Sequence, residues 1–185
     1  MTRKIRLLSL GLVVTFIYAL VGMIGADGGK AKNVVYQGQV RAESGDGSTQ
    51  FSVDPSPIIF YLGTVNNKYH VLLIRVRNET STPLRLAKDQ DSIEMRFADG
   101  QTVRGVLNLP AADRATWDGL ETELRTAVAY PEVVPAREEE GIYIYLRVGD
   151  VAAARKKHEM PSSVIYNVKS LQRPVELRPR GVSKK

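Results

Sequence analysis

The chain has 185 residues, with no cysteine, one tryptophan and two histidines. Without cysteine there is no disulfide, no thiolate nucleophile and no sulfur-based zinc site, so stability has to come from packing and backbone pairing. Two histidines leave little room for acid–base or metal chemistry. His70 lies in the middle of an alternating apolar segment and His158 in a basic turn, and no serine sits in a glycine-rich elbow. No arrangement of residues reads as an active site. The sequence is therefore read as a non-enzyme without a cofactor. It contains no internal repeat.

A broad basic face is also lacking, although the net charge is +6. Residues 1–26 hold Arg3, Lys4 and Arg6 and no acid, a net +3; residues 27–154 carry 14 basic and 18 acidic side chains; residues 155–185 carry nine basic residues against Glu159 and Glu176. The body of the chain is mildly acidic and the excess sits at its two ends, which argues against a nucleic-acid partner.

One long hydrophobic run is present. Leu7 to Gly25 is 19 residues without a charge, preceded by the basic cluster. That order keeps the N-terminus in the cytoplasm and sends the downstream chain across a membrane. Two outcomes fit: cleavage after Ala26, or an uncleaved inner-membrane anchor contacting lipid through residues 7–25. Residues 1–26 are predicted to be a signal peptide or membrane anchor in the form of a hydrophobic helix, 27–32 a linker, 33–178 the folded domain and 179–185 a basic tail. Either outcome predicts an extracytoplasmic domain, periplasmic or secreted.

Most of the folded part alternates with the period of a β-strand. Strands are predicted over Val34 to Val40 and from Gln50 to Val53, followed by extended chain through Ile58 to Leu62, where Pro55 and Pro57 disfavour helix. Asn66-Asn67 is a turn. Lys68 to Asn78 is the most strand-like segment, with His70, Leu72, Ile74 and Val76 on one face. Ile93, Met95 and Phe97 alternate with charged residues, and Asp99-Gly100 then turns the chain into Val103 to Leu107 as a hairpin. Gly141 opens a second central strand, GIYIYLRV, and Val164 to Val168 and an edge-like Pro174 to Leu177 complete the series. Between Pro110 and Tyr130 the spacing of Trp117, Leu120 and Leu124 predicts one amphipathic helix sealing an end of the sheet core. Seven to nine strands with one helical insertion near 111–128 predict a mainly β fold, an antiparallel β-sandwich.

The stretches KYHVLLIRVRNETSTPLRL, ADGQTV and VVPAREEEGIYIYLRV resemble the immunoglobulin-like domains of unknown function in bacterial exported proteins and lipoproteins. Asn78 at the end of a strand, the Asp99-Gly100 hairpin, and Pro135 and Gly141 ahead of the next strand match that pattern over roughly residues 58 to 178. The helical insertion and the missing lipoprotein cysteine depart from it. The resemblance implies an immunoglobulin-like fold and an extracytoplasmic setting, and carries over no catalytic residue.

A few side chains have metal-binding or modification chemistry of their own. His158-Glu159-Met160 pairs a histidine with a methionine, as soft-metal carriers do, with Met95 and His70 as distant further ligands. Asp89, Asp91 and Glu94 stand close enough in sequence to converge on calcium, without the EF-hand pattern. Asn78-Glu79-Thr80 is a glycosylation sequon, and Glu138-Glu139-Glu140 a solvated turn. The leading expectation is a non-catalytic envelope module whose partner is another envelope protein. The alternative is a periplasmic small-ligand or metal-binding carrier.

Overall fold

The computed structural model describes residues 34–42, 45–60 and 64–180, which belong to one compact unit, Lys32–Lys185. The hydrophobic run, the linker and the last five residues of the tail lie outside the described residues. Among those described, no helix is long and apolar enough to cross a membrane.

The first three strands form a meander: β1 (Tyr36–Arg41), β2 (Ser48–Val53) and β3 (Tyr69–Asn78). After a two-residue β4 (Leu84–Arg85), β5 (Ser92–Arg96) and β6 (Thr102–Gly105) form a hairpin. Its loop is Ala98-Asp99-Gly100, closed by Phe97 N–H to the Gln101 carbonyl at 2.9 Å, and Gly100 takes the expected left-handed conformation at φ 87°. Beyond the two-residue β7 (Val133–Val134) come β8 (Glu139–Arg147), β9 (Ser163–Asn167) and β10 (Pro174–Pro179).

Eight of these strands make one antiparallel sheet in the order β6-β5-β9-β10-β1-β2-β3-β8, while β4 and β7 pair separately. The mainly β reading therefore holds. The two strands that looked central are neighbours, joined by a ladder from Tyr69↔Arg147 to Arg77↔Glu139. Two weak joints set the shape. β1 and β10 share only Tyr36↔Pro179 and Gln37↔Arg178, and the two ends of the sheet meet through a single bridge, Val106↔Tyr145, with N–O distances of 2.8 and 3.0 Å. The sheet is thus nearly closed, and its two four-strand halves face each other. Phe51 of β2 and Tyr166 of β9 meet edge to face across the interior at 5.8 Å between ring centroids. The predicted inward set of β3 is buried throughout, with His70, Ile74 and Val76 at 0 % exposure.

Several local expectations are corrected. Ser56–Phe60 is a short helix, α1, where extended chain was predicted. Pro57 stands in its first turn, where the missing N–H has no intrahelical partner to lose, and Asp54 Oδ1 accepts from Ser56 N–H at 2.9 Å. The predicted single helix of 110–130 is three: α2 (Leu109–Ala112), α3 (Arg114–Asp118) and α4 (Thr122–Val128). Asp113 is the breaker, because its carboxylate caps Thr116 N–H at 3.0 Å and so starts a new helix. These helices do not seal an end of the core. Trp117, Leu120 and Leu124 pack with Leu109 and Val128 in a second cluster on Tyr69 and Tyr145, the outward side of β3 and β8. That cover explains why β8 looked central: it is the last strand of the sheet, yet both its faces are covered. β10 is the reverse case, expected at an edge but paired with both β9 and β1. The last helix, α5 (Val148–Lys157), buries Val151 and Ala154 in the main core, which also takes in Ile58 and Ile59 of α1.

Asn78 ties down the opposite end of β3. Its Nδ2 donates to the carbonyls of Thr82, Pro135 and Val134 at 2.8, 3.1 and 3.3 Å, and its Oδ1 accepts from Thr80 Oγ1 and N at 2.7 and 3.2 Å. The side chain is 1 % exposed. Removing it strands several buried polar groups, each costing about 1–3 kcal/mol. Asn78→Ala is expected to lower stability by about 2–4 kcal/mol in urea unfolding, and Asn78→Asp, which cannot donate, by a similar amount at neutral pH. A loss under about 0.5 kcal/mol for both would show that the amide ties nothing. The closing seam depends on Gly105, where a Cβ would stand 2.4 Å from Ile144 Cγ2 and 2.5 Å from Ile93 Cγ2. Gly105→Ala should speed hydrogen exchange at the Val106 and Tyr145 amides at a cost of about 1–3 kcal/mol; unchanged exchange at both amides would count against that seam.

Candidate functional site

The side chains singled out in the sequence are placed apart, and most are engaged in holding the fold. His70 is fully buried, with its Nε2 3.1 Å from Arg155 Nη1. A guanidinium only donates, so Nε2 is the accepting atom of this contact. This is a structural acceptor rather than a base presented to a substrate. His158 sits in the left-handed C-cap of α5 at φ 51°, exposed, whereas Met160 is drawn against the main core and Met95 lies fully inside it. The His-x-Met pair thus faces two different surroundings.

Asp89, Asp91 and Glu94 likewise diverge. Asp89 accepts from Asn108 Nδ2 at 2.6 Å, and Glu94 pairs with Arg96, accepting from Nε at 2.8 Å. Asp91 turns inward. Its Oδ2 accepts from Ala87 N–H at 2.7 Å and from Tyr130 Oη at 2.7 Å, and its Oδ1 from Lys169 N–H at 2.8 Å. Among the described residues no group of three histidine, aspartate or glutamate side chains is placed to hold a metal. The sequon residue Asn78 has its amide enclosed by the carbonyls named above, so that nitrogen is not presented to a glycosylating enzyme. In the acidic triplet, burial, then its neighbour Glu138, pushes the Glu140 carboxyl above the usual range.

Asp91 belongs to a buried polar chain that the sequence pattern does not reveal. Tyr130 Oη lies 2.6 Å from Tyr166 Oη as well as on Asp91, joining the segment after α4, the inner face of β9 and the loop before β5. Both phenols are pushed well above their ordinary range, chiefly by burial. Tyr36, whose hydroxyl donates to the Pro161 carbonyl, is raised to about 12 by burial and then by Asp54. Tyr145 is raised by burial and then by Tyr143. Asp113, the helix cap, is held down at about 2 by the Thr116 N–H first and the Lys68 ammonium next.

The recesses lie outside the core. A wide, shallow one of about 680 Å³ on the outer face of β5 and β6 is lined by Glu94, Arg96, Thr102, Arg104 and Asp150. A second, of about 340 Å³, lies beside Gly47, Ser48, Arg77, Asn78, Glu79 and Arg137. In the second, Glu79 is already held by Gln50 Nε2 at 2.9 Å and Arg77 Nε at 3.3 Å. In the first, Arg104 has no ion-pair partner among the described residues and its side chain reaches open solvent. Alternation marks Arg104 and Glu94 as outward residues; nothing in it says that Asp150, from the start of α5, joins them.

Comparison with known protein families, with curated proteins and with solved structures gives no match.

The tyrosines set an alkaline limit. In the unfolded chain they lose their protons near pH 10, while in the native state Tyr36 keeps its proton to about 12 and Tyr130, Tyr145 and Tyr166 are also raised. The native state then binds more protons, so stability is intact below about pH 10 and falls as pH rises beyond it. Urea midpoints measured from pH 8 upward should be flat to about pH 10 and then decline. Spectrophotometric titration should show these four phenols lagging behind the others; eight phenols ionising together while the fold persists would refute the burial assigned to them.

Proposed function

We propose that the chain is a non-catalytic extracytoplasmic module of the cell envelope that binds another envelope protein through the outer face of β5 and β6. The observation that carries this is the recess over those strands: exposed, shallow and lined by charges of both signs, with Arg104 without an ion-pair partner among the described residues. Such a surface suits a polar protein partner better than a small ligand, which is normally taken into an enclosed, mostly apolar cleft. The outward placement rests on the Arg3, Lys4, Arg6 cluster ahead of the 19-residue apolar run. The immunoglobulin-like sandwich description belongs to the same proposal. It is supported by the two facing four-strand halves and by the Asn78 and Asp99-Gly100 turns, and the bridge Val106↔Tyr145 is a local departure at one seam. For a metal carrier, the positions of His158 and Met160 offer no comparable support.

The test is site-specific photo-crosslinking in intact envelopes of the source cell. A crosslinker at Thr102 should give a discrete product that Arg104→Glu reduces at least tenfold, while one at Gln90, away from the recess, should not. No product from Thr102, or one indifferent to Arg104→Glu, would remove this face as the interface.

A further inference from the structure

The near closure of the sheet leaves a short free edge on β6. β5 and β6 pair from Ile93↔Gly105 to Arg96↔Thr102, and Phe97 N–H donates to the Gln101 carbonyl at the hairpin end. In an antiparallel pair, residues that exchange hydrogen bonds alternate with residues whose N–H and C=O face away. Val103 and Gly105 therefore bond to β5, and Thr102, Arg104 and Val106 turn their backbone groups to the other side. Val106 obeys this, exchanging both bonds with Tyr145 of β8. The next rung would join Arg104 to Arg147, but the chain passes into α5 at Val148, and among the described residues neither Thr102 nor Arg104 pairs with β8.

That edge opens onto the recess over β5 and β6. α5 stands on its far side, since Gln101 Nε2 donates to the Asp150 carbonyl at 3.0 Å and Asp150 lines the recess with Thr102 and Arg104. Glu94 and Arg96 are paired with each other. Arg104 and Asp150 are exposed, and neither has an ion-pair partner among the described residues. The opening thus combines unpaired backbone groups with an uncommitted cation on β6 and an uncommitted anion on α5.

We propose that the partner is engaged as an added strand: an extended segment of another protein lies along the β6 edge, exchanges backbone hydrogen bonds with Thr102 and Arg104, and sets an aspartate or glutamate against the Arg104 guanidinium. The inference deepens the docking reading above and rests on it. In strand addition, main-chain bonds supply affinity whatever the sequence, and side chains at alternate positions supply the choice. Two free residues give few main-chain bonds, so the charge contact at Arg104 decides which segment is held. Asp150 sharpens that choice, because an acid displaced from Arg104 toward α5 meets a like charge. A free edge is also open to a second copy of the same strand. Pairing two copies about this edge brings Arg104 up to Arg104, and like charges directly opposite destabilise a strand pair, so the occupant is a different chain.

The test uses the full chain in intact envelopes, with the product of a photo-crosslinker at Thr102 digested and sequenced by mass spectrometry. Residues 102 and 104 share a face of β6, so the partner residues opposite them are two apart. The residue captured from Thr102 should have Asp or Glu two positions away. A captured residue with no acid on either side at that spacing overturns the proposal, and a captured peptide of this chain's own sequence overturns it by making the occupant a second copy. The backbone contribution is read with the crosslinker at Arg96 instead. Thr102→Pro removes the edge N–H without touching a bond to β5, and should cut the product at least fivefold more than Thr102→Val, which keeps that N–H. Equal loss from the two, with urea midpoints unchanged, overturns strand addition while leaving the face as the docking surface. If the proline variant unfolds, the sequenced product decides, since it comes from an edge with its backbone intact. No product from either position overturns the docking reading and this one together.

Discussion

The constraint on which the rest depends is the near closure of one antiparallel sheet. Eight strands curl until their two halves bury a shared interior, and the ends then meet at Val106 and Tyr145. Closure leaves little unpaired strand edge, the feature through which sheet proteins aggregate. It demands a residue without a side chain where β6 crosses β8, and Gly105 supplies it. It also leaves the ends of the folded sheet to be filled, which explains the remaining pieces. α1 and α5 contribute Ile58, Ile59, Val151 and Ala154 to the core, and the β4–β7 pair contributes Leu84 and Val134.

The buried polar groups arise from the same constraint. Irregular segments that cap a closed sheet carry backbone donors and acceptors that cannot all reach water. Asn78 satisfies those around the turn after β3. Asp91 satisfies those of Ala87 and Lys169 and is joined by Tyr130 and Tyr166. With these side chains committed to the backbone, the chemistry left to the outside is that of charge, as in the mixed recess over β5 and β6. This is why the proposed role concerns recognition.

The legibility of the fold in the sequence tracks how local the signal is. β3 and the Asp99-Gly100 hairpin were readable because period-two alternation and a left-handed glycine are properties of a few adjacent residues. The three-helix break was not, because a side chain capping Thr116 is indistinguishable in sequence from an exposed acid on one continuous helix. β10, read as edge-like over Pro174 to Leu177, is paired on both sides, and its Pro174 and Pro179 stand at its two ends, where the ladder tolerates them. The candidate site was less legible still. Glu94 and Arg96 were recognisable as outward residues by their alternation with Ile93, Met95 and Phe97, but Asp150 arrives from another part of the chain, and the Tyr130–Asp91–Tyr166 chain joins three segments that no spacing rule connects.

The pairing of the first strand with the last has a kinetic side. β10 comes after every other described strand in the chain, and β1 gains its second neighbour only from β10. β3 with β8 and β5 with β9 are likewise distant in sequence, so most of the interior is bought by late, long-range loop closure. A sheet closed by pairings so distant in sequence is expected to fold more slowly than one built of hairpins alone.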